Sequence, residues 1–152
     1  MFLISGAALA QTKLRNALDY DGDGKADVGT FRNTNNTWYF LKSNGNGGDG
    51  AAFGSSNYDT LAPSDYDGDG NGDLAVWRYT NGTFYYMASS TNSFQARAFG
   101  AIGDEVIARD YDGDNKTDFA VARRTGGLLY WYVLNSLDGS FRGAQFGADC
   151  SL

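Results

Sequence analysis

Twelve aspartates carry the chemistry of this chain, and they fall into three groups of four. The loops read DYDGDGKAD from Asp19 to Asp27, DYDGDGNGD from Asp65 to Asp73, and DYDGDNKTD from Asp110 to Asp118. Each sets carboxylates at loop positions 1, 3, 5 and 9. These are Asp19, Asp21, Asp23 and Asp27; Asp65, Asp67, Asp69 and Asp73; and Asp110, Asp112, Asp114 and Asp118. Carboxylates this close repel one another, raise some of their own pKa values and loosen the loop unless a cation lies between them. Hard oxygen donors at this spacing suit Ca²⁺, which tolerates irregular geometry, better than Mg²⁺, which demands a tight octahedron. The backbone carbonyl at position 7, from Lys25, Asn71 and Lys116, is the expected fifth protein ligand. The expectation is three Ca²⁺ per chain.

Other metals and other loops fit less well. The loops offer no thiol or imidazole, and the chain has no histidine, which argues against zinc or copper. An EF-hand requires a bidentate Glu at position 12 and flanking helices. Position 12 is Thr30, Val76 or Val121, each in a run of β character. A solvated acidic turn explains one such loop, because Asp-Gly is common in turns; three copies in phase argue against it. Gly22 and Gly24, with Gly68 and Gly70, let the backbone turn between ligands. Asn115 replaces the second glycine in the third loop, and Asn is the side chain best able to take a left-handed conformation.

The charge balance agrees. The chain carries 18 acidic and 12 basic residues, for a net charge of −6. Three divalent ions would bring it to zero. The scattered Lys and Arg residues form no basic stripe, which excludes a nucleic-acid partner.

The elements that must position these loops repeat with them. The first Asp recurs after 46 and then 45 residues. Each loop is followed by a short alternating run: VGTFR, LAVWR or FAVAR, ending at Arg32, Arg78 and Arg123. A polar turn leads to an aromatic run: Trp38 to Leu41, Phe84 to Met87, and Trp131 to Leu134. A further short segment ends in Phe-Gly at Phe53-Gly54, Phe99-Gly100 and Phe146-Gly147, and another precedes the next loop. About four strands per period near 45 residues, with 21 glycines and one proline, predict all-β propeller blades. The aromatic runs read as packing between blades. The three arginines read as structural, hydrogen bonding to carbonyls or carboxylates at the strand end. Two extra residues between Arg123 and Trp131 predict a wider or bulged third hairpin.

This pattern of acidic loop, strand ending in Arg, aromatic strand and Phe-Gly resembles the FG-GAP/VCBS repeats, which include the integrin α-subunit propeller. The resemblance runs from about Leu14 to Gly147. It implies a β-propeller in which the calcium loop joins the first and second strands of each blade, in a secreted or cell-surface protein.

Three blades do not close a ring, since closed propellers have about 4–8. The expectation is a homo-oligomer, with two chains forming a six-bladed ring; a fragment of a longer propeller is the alternative. Residues 14–152 read as one propeller domain of three blades, with loops at 19–27, 65–73 and 110–118. Residues 1–13 read either as a signal-peptide remnant, with Ala8-Leu9-Ala10 before Gln11 as a cleavage site, or as an extra edge strand. They are too short to span a membrane. Cys150 is the only cysteine, so no intrachain disulfide forms.

The function expected is non-catalytic recognition or adhesion outside the cell, toward a glycan or a surface protein. Tyr58, Trp77, Tyr79 and Phe94 are candidates for stacking on sugars. A propeller-based polysaccharide lyase or glycosidase is one alternative, and a purely structural repeat another. The absence of histidine removes Ser-His-Asp and Cys-His systems. Outside the loops only Asp49, Asp59, Asp104, Glu105, Asp138 and Asp149 remain as acid–base carboxylates.

Overall fold

The computed structural model describes residues 18–148. The signal-peptide or edge-strand reading of residues 1–13 and the reading of Cys150 fall outside them. Eleven strands form three separate antiparallel sheets. The first holds β1 (Val28–Arg32), β2 (Thr37–Leu41) and β3 (Gly48–Ala52). The second holds β4 (Asp59–Leu61), β5 (Leu74–Arg78), β6 (Thr83–Ala88) and β7 (Ser93–Ala98). The third holds β8 (Glu105–Val106), β9 (Phe119–Thr125), β10 (Leu128–Leu134) and β11 (Phe141–Ala148). Each sheet is a meander in chain order. The expected four strands are present in the second and third sheets, whereas the first has three among the described residues.

Alternation sends successive side chains of a strand to opposite faces, and the middle sheet uses both. Leu74, Val76 and Tyr85 pack with Trp38, Phe40 and Phe53 of the first sheet. Ala75, Trp77 and Phe84 pack with Val121, Phe119 and Tyr132 of the third. The aromatic runs of the first two sheets therefore supply core, as the sequence suggests, while Trp131 and Tyr132 of the third are half-buried. Trp77 is 1% exposed, which removes it from the residues able to stack on a sugar.

Phe-Gly has a definable job. In each sheet an indole Nε1 donates to the carbonyl of that phenylalanine: Trp38 to Phe53 at 3.0 Å, Trp77 to Phe99 at 3.1 Å, Trp131 to Phe146 at 2.9 Å. The tryptophan changes strand, because Phe31 faces Trp38 whereas Trp77 faces Phe84. The glycine then lets the next sheet approach. A Cβ on Gly54 would lie 2.9 Å from Val76 Cγ1, and one on Gly100 would lie 3.2 Å from Val121 Cγ1.

The third hairpin is not wider. Its two extra residues extend the ladder through Arg124↔Leu129 and Thr125↔Leu128. Gly126 and Gly127, both at positive φ, then make a two-residue turn of the kind that matches strand twist. The irregularity lies on the other side of β10, as a register shift between Leu128 and Tyr130 against β11.

Candidate metal centres

Each acidic loop runs directly into a strand, at Val28 of β1, Leu74 of β5 or Phe119 of β9, and each is held by the same internal bonds. The position-1 aspartate accepts two backbone N–H groups, which curls the loop around its carboxylate. Gly22 and Gly24 donate to Asp19 at 2.8 Å each, Gly68 and Gly70 to Asp65 at 2.6 and 2.9 Å, and Gly113 and Asn115 to Asp110 at 2.6 and 2.9 Å. The turn this requires puts Gly24, Gly70 and Asn115 at φ 84°, 97° and 68°. The asparagine thus takes the left-handed conformation expected of it.

The position-9 aspartate ties the loop to the sheet. Asp27, Asp73 and Asp118 are all buried. One oxygen of each accepts the N–H of Tyr20, Tyr66 or Tyr111 at position 2. The other accepts the N–H of Ser43, Ser89 or Ser136, each at 2.7 Å, just after β2, β6 or β10. Burial pushes Asp73 up to about 6 despite these bonds, so a compensating positive charge has value there. Asp67 is only half-buried, and burial pushes it the same way. The hydroxyl and N–H of Ser90 and the N–H of Asp69 overcome it and hold Asp67 below the usual carboxylate range.

Positions 1, 3 and 9 converge in all three loops. One oxygen from each of Asp19, Asp21 and Asp27 lies within 4.8 Å of the others, and the same holds for Asp65, Asp67 and Asp73 and for Asp110, Asp112 and Asp118. The position-5 carboxylates, Asp23, Asp69 and Asp114, lie outside these groups. Each accepts the hydroxyl of the same serine, Ser43, Ser89 or Ser136, at 2.7, 3.0 and 2.8 Å. Each also accepts the position-7 N–H of Lys25, Asn71 or Lys116. The donor set is all oxygen, which fits a hard cation. Asp21 adds a specific sign of fit, because its Oδ2 is buried and has no hydrogen-bond partner.

Two features escaped the sequence reading. The position-2 tyrosine is a packing element: Tyr66 stacks on Tyr86 and Phe119, and its hydroxyl donates to Ala62 O at 2.8 Å. Burial, with Asp73 beside it, raises its pKa. The signal was visible as DYDGD in every loop. The serine clamp was also visible, as Ser43, Ser89 and Ser136 following each aromatic run, but hydroxyls are common in turns.

The arginines meet carboxylates only in part as expected. Arg78 grips Asp59 through Nε and Nη2 at 2.8 and 3.0 Å, and Arg123 grips Asp104 at 2.7 and 2.9 Å. Arg32, Arg78 and Arg123 each lie over a tyrosine ring, of Tyr39, Tyr85 and Tyr132. Of the stacking candidates, Tyr58, Tyr79 and Phe94 are exposed. A groove of about 230 Å³ between the second and third sheets is lined by Phe99, Arg123, Tyr132 and Phe141.

Comparison with known families changes the family reading. A family described as a putative cell wall binding repeat matches residues 29–46. That span is the β1–β2 hairpin with its turns, and it excludes the acidic loops. The FG-GAP/VCBS and integrin-like resemblance, which rested mainly on the Asp spacing, is thereby corrected: the family matched is a different one. No curated protein and no solved structure matches the chain.

Proposed function

We propose that this chain is a non-catalytic, calcium-stabilised module that binds cell-wall polymer from outside the cell. In this reading its three sheets are propeller-type blades of one domain spanning residues 14–152, and the chain associates with copies of itself. The observation that carries the metal part is the convergence of three carboxylates in each of three loops that share one hydrogen-bond scheme. Asp19, Asp21 and Asp27 hold the first ion, and the equivalent residues hold the second and third. Asp23, Asp69 and Asp114 and the carbonyls of Lys25, Asn71 and Lys116 complete the shells. Calcium would cancel the mutual repulsion and couple metal binding to folding.

The binding part is supported by the cell-wall-repeat match to the first hairpin and by aromatic surface. Tyr58, Tyr79 and Phe94 present exposed rings, and the groove beside Tyr132 and Arg123 offers a flat apolar wall with a fixed cation. Such surfaces take the apolar faces of sugars or a quaternary ammonium group. The carboxylates outside the loops are engaged in ways that favour structure over turnover. Asp59 and Asp104 pair with arginines, Glu105 with Arg124, and Asp49 with Lys42. Among the described residues no helix is long and apolar enough to cross a membrane.

The test combines calorimetry with sedimentation on purified cell wall. Three Ca²⁺ should bind per chain, and the protein should pellet with the wall in millimolar Ca²⁺ and be released by EDTA. Soluble sugar released from the wall by the protein would replace this reading with an enzyme.

A further inference from the structure

The two terminal sheets carry complementary halves of an interface that the chain already makes twice. We propose that the face of the third sheet left open among the described residues docks on the corresponding open face of the first sheet of a second copy, closing a head-to-tail ring of two chains. This rests on the blade reading above and adds the surfaces, the register and the copy number.

Three repeating contacts define the joint between neighbouring sheets. In the first, the N–H at loop position 8 donates to the position-1 carbonyl of the preceding loop: Gly72 to Asp19 at 2.6 Å and Thr117 to Asp65 at 2.8 Å. In the second, the position-4 glycine faces the position-7 side chain of the next loop. Gly22 abuts Asn71, and a Cβ on Gly68 would lie 3.5 Å from Lys116 Cδ. In the third, the glycine of Phe-Gly abuts a valine of the next sheet, Val76 or Val121.

Among the described residues each series stops at the first and third sheets. The Asp110 carbonyl and the Ala26 N–H make no equivalent bond among the described residues. A Cβ added to Gly113 would meet nothing within 4 Å, and its would-be neighbour Lys25 is exposed at 72%. Gly147 meets only Leu129 of its own sheet; its counterpart across the joint is Thr30.

The apolar layers match in the same register. Tyr66 stacks on Phe119 of the next sheet. The equivalent Tyr111 and Trp131 of the third sheet border a groove with Val133 and Arg142. The residue equivalent to Phe119 in the first sheet is Val28, which is 71% exposed. An interface joining two different faces closes only if the rotation returns to its start. Two chains give six blades, within the range of about 4–8 for closed propellers, whereas three chains give nine.

Light scattering with millimolar Ca²⁺ tests this, with circular dichroism to check folding. The chain should have twice its mass of 16.4 kDa. Val28→Arg, at an exposed position, should halve the mass without loss of fold. Trp131→Ala, on the opposite face, should do the same. An equimolar mixture of the two should return to twice the chain mass, because one intact joint remains. A monomeric parent protein overturns the proposal, including one whose third-sheet face is covered by residues 1–17. So does a dimer indifferent to Val28→Arg, a mixture that stays monomeric, or a larger ring. Calcium titration of the same sample keeps the readings apart: a monomer that binds three ions fails only the closure.

Discussion

The strands VGTFR and LAVWR hold equivalent places in the first and second sheets, yet one is bare and the other sealed. Val28 is 71% exposed and Thr30 is open, whereas Val76 is 1% exposed and Ala75 is fully buried. The hairpins pair alike, with five residue pairs in each, though β5 also pairs with β4 while β1 is an edge strand among the described residues. What differs is the neighbour. The second sheet has one on each face, and among the described residues the first has one on a single face. The repeat sequence therefore sets strand and loop, while position in the stack sets burial and hence energy.

The metal loops offer the strongest way to test this contrast. The second loop bonds to both others, through Gly72 to Asp19 and through Thr117 to Asp65. Chelation should remove all three ions, each worth about 2.7 kcal/mol at a hundredfold excess over Kd. The expected fall in Tm is more than about 10 °C, measured by calorimetry with and without EDTA. Among single variants Asp73→Asn should cost more than Asp27→Asn. Equal losses would mean that the loops act independently of the stack.

Trp77 and Phe31 sharpen the comparison within the sheets. Trp77→Ala opens a cavity in a doubly covered sheet and strands the Phe99 carbonyl that the indole serves. It should cost about 3–5 kcal/mol. Phe31→Ala, at the equivalent half-buried position, should cost about half as much by chemical denaturation. A reversal would place the core in the first sheet.

These contrasts also mark what the sequence made legible. The alternation of VGTFR, LAVWR and FAVAR, with the aromatic runs after them, located one hairpin in each sheet because period-2 patterning is a local property. The Asp loops were equally plain, since their spacing alone brings positions 1, 3 and 9 together. The serine contacts of position 5 were not legible, because Asp23, Asp69 and Asp114 accept hydroxyls from about 20 residues away, and that approach is set by the fold. The third hairpin was misjudged for a similar reason. Two added residues can widen a loop or lengthen a ladder, and only the Gly126-Gly127 turn chemistry decides between them. The family resemblance failed because it weighed the acidic loop, whereas the recognisable family signal lies in the hairpin after it.

The arginine series gives a smaller effect. Arg78 covers Asp59, whose side chain is 1% exposed, while the arginine side chain remains 33% exposed. Arg78→Met leaves that carboxylate buried and unpaired. Discounted for the solvent reaching the arginine, the cost should be about 1–3 kcal/mol. Arg32 lies over Tyr39 and meets no carboxylate among the described residues. Arg32→Met should cost less than about 1 kcal/mol, read by urea denaturation. Matching costs would imply that the ring, not the carboxylate, is what the arginine serves.

The smallest effect separates the second loop from the third. Asn115 and Gly70 occupy the same loop position, and each N–H donates to the position-1 aspartate at 2.9 Å. They differ in φ, 68° against 97°. The asparagine lies near the left-handed minimum, where its Cβ costs least, whereas the glycine lies beyond it. Asn115→Gly relieves that residual strain but adds freedom to the unfolded chain, so the two effects offset and stability should move by less than about 1 kcal/mol. Gly70→Asn gains the reverse entropy term but loses more, because its backbone would have to shift and carry the Asp65 bond with it. Thermal denaturation in Ca²⁺ should rank Gly70→Asn as clearly the more damaging. If the two substitutions were equally silent, the loops would be tolerant of the turn geometry, and the glycine pattern would carry no structural information.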